Sequence, residues 1–185
     1  PPLFVGVIRC VTETGNSNTP SRSGLFETPD AEKLDAEHAA NFHSVTALLL
    51  FVSRRSRLDI QVAIAFLCTR VKCPDEVDWK KLKRVLQYLR GTMDLVLTLG
   101  ADDIRKMKSW VDVSYGVHED CKSHTGGCIS FGWGVLLTKC QKQKLNTKSS
   151  TEDEIVGASD YMPNMIWGRM FLESQGFLLN ESILY

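Results

Sequence analysis

The spacing of apolar residues changes character at Gly91, and that change sets the broad class of fold. Before it, large side chains recur every three or four residues. Phe42, Val45, Leu48, Leu49 and Val52 form one set, Ile60, Ala63, Ile64, Leu67 and Val71 a second, and Trp79, Leu82, Val85, Leu86 and Leu89 a third. Each set falls on one face of an α-helix. Ser53-Arg54-Arg55-Ser56 breaks the first helix from the second, which Asp59 starts; Pro74-Asp75 and Asp78 open the third, and Gly91 stops it. After Gly91 the pattern alternates. Leu95–Leu99 predicts a short strand, Gly100–Lys108 a polar connection, and Trp110–Tyr115 a strand with Val111, Val113 and Tyr115 on one face and Asp112 on the other. Cys128–Phe131 and Val135–Thr138 flank Gly132-Trp133-Gly134 as a hairpin. Ser149-Ser150-Thr151 ahead of Glu152-Asp153-Glu154 starts a helix toward Gly176, with Ile155, Ala158, Met162 and Ile166 as its stripe and Pro163 as a kink. Ser182–Tyr185 opens a last strand.

The expected fold class is therefore α+β. A flexible arm covers residues 1–34, which are rich in Pro, Ser, Thr, Asn and Gly; a helical region covers 35–100; residues 101–185 carry an antiparallel three-strand meander plus a helix. With 43% hydrophobic and 24% charged residues, the chain is neither a disordered acidic tail nor a collagen-like repeat. No apolar run approaches the roughly 20 residues of a membrane span. The run Leu3–Ile8 is too short for a signal peptide and lacks a basic lead. Six cysteines in 185 residues are too sparse for a disulfide scaffold. These features predict an intracellular protein, cytoplasmic or nuclear, with reduced thiols.

Lys+Arg and Asp+Glu balance at 22 each, yet the charges segregate. Residues 41–90 hold ten basic groups against four acidic, and 139–149 hold four Lys with no acid, whereas 150–185 hold one Arg against six acids. On the third helix Lys80, Lys81, Lys83, Arg84 and Arg90 lie off the apolar stripe, with Arg54 and Arg55 upstream and Lys142, Lys144 and Lys148 downstream. A solvated helix face accounts for such a pattern, and so does a track for the phosphates of a nucleic acid.

Two carboxylates stand out. Asp112 lies within a strand, where Asp is depleted, and Glu154 lies in the first turns of a helix. A divalent cation such as Mg²⁺ would offset the cost of gathering them; an edge-exposed Asp and a dipole-favoured Glu are the plainer account. His118-x2-Cys121-x2-His124-x3-Cys128 contains zinc-ligand residue types, but in an order that matches no Cys/His knuckle and with Cys128 on a strand. Trp79, Trp110, Trp133 and Trp167 are of a type that serves as base-stacking platforms, but three of the four lie at stripe or strand positions, so core or hairpin packing is the expectation.

Lys142–Asp160, and within it Lys148-Ser-Ser-Thr-Glu-Asp-Glu154, closely resembles the Lys-Ser-Ser-Thr-Glu-Ala-Glu-type motif of copia-type LTR retrotransposon Pol polyproteins. Trp110–His118 followed by Ser123–Gly127 is similar to the first strand and hairpin of that family's ribonuclease H domain. Phe42-His-Ser44, Arg57–Ile60 and Trp79–Thr92 resemble the stretch that joins the reverse-transcriptase thumb to it. The resemblance covers about residues 25–185. It implies a helical thumb/connection segment followed by a truncated ribonuclease-H-like α/β domain, with Asp112 and Glu154 as catalytic ligands of two Mg²⁺ ions. It also implies RNA–DNA hybrid and the rest of the Pol polyprotein as partners, and the 54–90 and 142–148 cations as backbone contacts. Glu152 belongs to the capping turn. The family's polymerase aspartates would precede residue 1, and its third ribonuclease H carboxylate would follow Tyr185; the expectation is an inactive isolated chain. Leu58 also stands where the family has Pro. A non-catalytic nucleic-acid-binding or scaffold subunit is the competing expectation.

Overall fold

Helical and alternating patterns end up in separate bodies: the computed structural model, which describes residues 15–185, parts between Val96 and Leu97 into two units. Its first unit contains α1 (Ala36–Arg55), a 3₁₀ turn (Leu58–Ile60), α2 (Gln61–Arg70) and α3 (Glu76–Gly91). Helix α1 begins where the Asp35 carboxylate accepts from the His38 N–H, and it runs through the expected break at Ser53. Ser53 is buried and returns its hydroxyl to the Leu50 carbonyl at 2.9 Å, so the serine is satisfied within the helix. Helix α3 has the predicted start. Asp75 accepts from the Val77 and Asp78 N–H groups while Asp78 accepts from the Asp75 N–H.

Those carboxylates also carry charge into the interior. Arg70 reaches Asp78 at 3.0 Å and Asp75 at 3.2 Å, and Lys33 reaches Asp75 at 3.3 Å. Around them Phe42, Leu49, Ile60, Ile64, Phe66, Leu67, Leu82, Val85 and Leu89 form one core. Arg57 pairs with Asp59 and donates to the carbonyl and hydroxyl of Thr92, closing the C-terminal end of α3. Residues 15–34 do not hang loose as an arm. Leu25 is buried, Phe26 meets Phe66 edge-on at 5.5 Å, and the Leu34 N–H donates to the Pro74 carbonyl. Residues 1–14 of the expected arm, with the Leu3–Ile8 run and Cys10, lie outside the described residues.

The second unit holds β1 (Gly100–Ala101), β2 (Lys106–Ser114), β3 (His124–Ser130), β4 (Gly132–Trp133), β5 (Leu137–Lys142), α4 (Ser150–Ser174) and β6 (Glu181–Leu184). The chain is thus a mixed α+β protein. Strands β2, β3 and β5 make an antiparallel meander, and β6 adds parallel to β2, giving the order β5-β3-β2-β6. Leu95–Leu99, predicted as a strand, pairs with nothing; Gly100–Ala101 instead pairs with Gly132–Trp133. The expected polar connection is partly strand, because Lys106–Ser109 is the stretch that β6 pairs with. The glycine turn stands where predicted, with Gly134 at φ 75°, but β5 begins at Leu137 and runs on to Lys142.

Helix α4 buries a different face from the predicted one. Ile155, Met162 and Ile166 are exposed, and Gly157 and Tyr161 face the sheet instead. Tyr161 is fully buried over Gly127, and Gly157 rests on Val113. Glycine on both layers lets helix and sheet approach closely, so the phase is set by room rather than by hydropathy. A Cβ at Gly127 would lie 2.5 Å from the Tyr161 ring, whereas one at Gly126, on the opposite sheet face, would meet nothing within 4 Å. Gly127→Ala should therefore destabilise the second unit by about 1–3 kcal/mol, and Gly126→Ala should change stability by less than about 0.5 kcal/mol. Denaturant unfolding of the two variants measures this; equal effects would contradict the packing described.

Candidate functional site

Strand register distributes the chemistry of the second unit over two faces. Thr125, Gly127 and Ile129 of β3 and Val111 and Val113 of β2 face α4. The opposite face carries rows across the ladder: Ser114, His124 and Lys142; Asp112, Gly126 and Cys140; Trp110, Cys128 and Thr138.

Asp112 is thus on the sheet face turned away from α4, and it is exposed. Glu154 is exposed on α4, about 100° around the helix from the buried Asp153. Neither carboxylate meets a hydrogen-bond or ion-pair partner among the described residues. Nor do the described residues gather three or more His, Cys, Asp or Glu groups placed to hold an ion. The two are free hard-oxygen donors, the chemistry Mg²⁺ selects, carried on separate elements. Glu152 behaves as a capping residue: its carboxylate accepts from the Lys148 N–H at 2.8 Å, and its N–H donates to Ser149 Oγ at 3.2 Å.

Between them in sequence, Asp153 belongs to a polar network that the residue pattern did not disclose. It is 1% exposed; its Oδ1 accepts from Thr147 at 3.1 Å, and its carbonyl accepts from Gln143 Nε2 at 3.4 Å. Gln143 also donates to Thr125 Oγ1 at 2.9 Å. The one available signal was phase: Asp153, Gly157 and Tyr161 are spaced four apart.

On the far face three side chains form a line. His118 Nε2 and His124 Nδ1 lie 2.9 Å apart, and His124 Nε2 lies 2.9 Å from Cys140 Sγ. Burial, with Lys142 beside His118 and His118 beside His124, lowers both imidazoles from 6.5 to about 4. Burial also pushes the Cys140 thiol up to about 12. Both nitrogens of His124 are occupied on opposite sides of its ring, so the line does not converge on one metal position. Cys121 and Cys128 take no part in it, and Cys121 is exposed. The zinc-type spacing of His118, Cys121, His124 and Cys128 therefore yields no cluster.

The predicted backbone cations divide into two groups. Arg54, Arg55, Lys80, Lys83, Arg90, Lys144 and Lys148 are exposed. Lys81 donates to the Glu27 carbonyl, Arg84 to Thr19 Oγ1 at 2.8 Å, and Lys142 pairs with Asp120 at 2.7 Å. Packing does not absorb all the tryptophans either: Trp133 is 72% and Trp167 60% exposed, and Trp110 stacks on Tyr185 at 5.5 Å.

Over 145 residues, 78% of the chain, it is 30% identical to the retrovirus-related Pol polyprotein from transposon TNT 1-94 of Nicotiana tabacum. It is 28% identical over 127 residues to the retrovirus-related Pol polyprotein from transposon RE2 of Arabidopsis thaliana. The chain spans only 11% and 9% of the length of these two relatives. It is 26% identical over 125 residues to the secreted RxLR effector protein 161 of Plasmopara viticola, of which it covers 88%. No protein-family profile matches the chain, and no solved structure does. No helix among the described residues is long and apolar enough to cross a membrane.

The buried histidines give the second unit a pH dependence of defined sign. Each is held neutral in the fold and takes a proton more readily when unfolded, so protons favour unfolding between 6.5 and about 4. The contribution is absent above 6.5, and stability falls as pH drops through that window. Thermal unfolding followed across it should show the loss, and His124→Gln should flatten the slope; a variant as steep as the parent would contradict the assignment.

Proposed function

The chain belongs to the copia-type retrotransposon Pol polyproteins, and on that premise we propose that it supplies the thumb and connection of a reverse transcriptase (first unit) and the opening part of its ribonuclease H domain (second unit). The activity so assigned is hydrolysis of RNA in an RNA–DNA hybrid. One observation supports the second assignment above the others. An antiparallel meander whose first long strand carries Asp112 is followed by a helix carrying Glu154 and by a strand that returns parallel to that first strand.

In this reading Asp112 and Glu154 each offer Mg²⁺ carboxylate oxygens that no Lys or Arg of the described residues occupies, Asp112 from the sheet face turned away from the helix that carries Glu154. The chemistry that Mg²⁺ would supply when bound is that of two-metal hydrolysis, activation of a water and stabilisation of the leaving oxygen at the phosphodiester. The chain's own part is to present the carboxylates on rigid elements: Asp112 on a strand paired through Gly126, and Glu154 on a helix fixed by Gly157 against Val113. Exposed cations of the first unit (Arg54, Arg55, Lys80, Lys83, Arg90) and Lys144 and Lys148 of the second neutralise backbone phosphates without reading bases. The remaining Pol polyprotein is the natural partner.

A second reading keeps the fold and drops the reaction. It is favoured by the effector protein 161, nearly all of which is matched by a stretch of this size. Two measurements test the roles assigned here, and the first separates the readings. In a Pol chain that continues past Tyr185, Asp112→Asn should lower hybrid-specific RNA cleavage roughly 100-fold or more, the scale of losing one electrostatic stabiliser at a reacting centre; undiminished cleavage would defeat the nuclease assignment. For the first unit, hybrid affinity should drop steeply between about 50 and 200 mM salt, and a flat response would remove the backbone-contact role.

A further inference from the structure

In the first unit, residues 20–27 and one side of α3 bound a cleft of about 570 Å³. Its walls bring Arg22, Lys80, Lys81 and Arg84 together with a single carboxylate, Glu27. Two of the cations are bonded, but to neutral groups. Lys81 Nζ donates to the Glu27 carbonyl at 2.5 Å and lies 4.5 Å over the Phe66 ring, and Arg84 Nη2 donates to Thr19 Oγ1. These bonds fasten the loop to the helix without forming an ion pair, although the carboxylates of Asp78, Asp75 and Glu27 lie near enough to Lys81 to favour its charge. Arg84 keeps a further donor: its Nε is buried and has no hydrogen-bond partner among the described residues. Arg22 and Lys80 are exposed and make no ion pair among the described residues.

The arrangement is held, not merely solvated. Leu25 is buried at the base of the loop, Phe26 packs on Phe66, and the Leu25 N–H closes a turn on the Arg22 carbonyl. Four like charges kept around one cleft repel one another, and a small multivalent anion relieves that cost. Phosphate suits it best: its acceptor-only oxygens match the forked donors of Arg and the point charge of Lys, and Ser21 and Ser23 line the same wall.

We propose that this cleft is a phosphate-binding site. Resting on the nucleic-acid reading of the first unit, the phosphate is one of a nucleic-acid backbone, and the site adds Arg22 to the residues that contact it.

Calorimetry on the full chain with inorganic pyrophosphate tests the cleft, and fluorescence anisotropy with a labelled RNA–DNA hybrid tests the source. Pyrophosphate should bind, with affinity reduced about tenfold in Arg22→Ala and in Lys80→Ala, the worth of roughly one charge-assisted hydrogen bond. Lys72→Ala, an exposed cation outside the cleft, should leave it unchanged. Glu27→Gln should tighten binding about threefold by removing the one carboxylate that lines the cleft. Absence of saturable pyrophosphate binding, or equal losses in Lys72→Ala, would overturn the site even if the hybrid still bound elsewhere on the unit. Competition between hybrid and pyrophosphate assigns the phosphate to the backbone. Pyrophosphate binding that the cleft variants weaken and the hybrid cannot displace keeps the site and instead defeats the nucleic-acid reading at this position.

Discussion

The second unit depends on a close approach between a helix and a nearly bare patch of sheet. Tyr161 packs over Gly127, and Gly157 comes down on Val113. That approach fixes the height and phase of α4 together. With the phase fixed, Asp153 is carried into the interior and must find Thr147 and Gln143, while Ile155, Met162 and Ile166 are carried out. Glu154, one residue past Asp153, is left on the solvent side as a free carboxylate. The candidate chemistry of this helix thus follows from two glycines that have no chemistry of their own.

The parts of the fold legible in the sequence are those whose determinants are local. Helix α3 is the clearest case: its stripe, its reciprocal Asp75–Asp78 cap and its Gly91 end all lie within the segment itself. The strand carrying Asp112 was readable from Trp110 onward because alternation there reflects one covered face. Its first half was not, since Lys106–Ser109 is polar in sequence and becomes strand only through pairing with Glu181–Leu184. For α4, period pointed to Ile155, Met162 and Ile166, but glycine contributes nothing to a hydropathy pattern even where it decides the packing. Residues 95–99 show the converse: an apolar run of strand-like composition with no partner makes no strand.

Charge and ligand type were legible only as inventories. The basic blocks included Lys81, Arg84 and Lys142, which tie loops to helices or strands through Glu27, Thr19 and Asp120. Spacing of His118, Cys121, His124 and Cys128 suggested ligands for one ion; the fold instead recruits Cys140 from β5 and arranges a line of ring nitrogens and sulfur. A metal needs donors converging on a point, and convergence is a property of register across strands, which single-segment spacing does not encode.

Register also explains how an Asp can stand in an internal strand. Directly opposite Asp112 is Gly126, whose missing side chain leaves open space on that face, so the carboxylate stays hydrated instead of being buried unpaired. On its other side the β2–β6 ladder continues one step past Leu184: the Tyr185 N–H donates to the Ser109 carbonyl, the Val111 N–H to the Tyr185 carbonyl, and the Trp110 and Tyr185 rings stack side by side. Parallel strands advance together residue for residue. A strand that kept this register would bring the second residue after Tyr185 level with Asp112, across the ladder from Gly126. An acidic residue there would share the same open face, and the two carboxylates would be a parallel pair awaiting a cation to offset their repulsion.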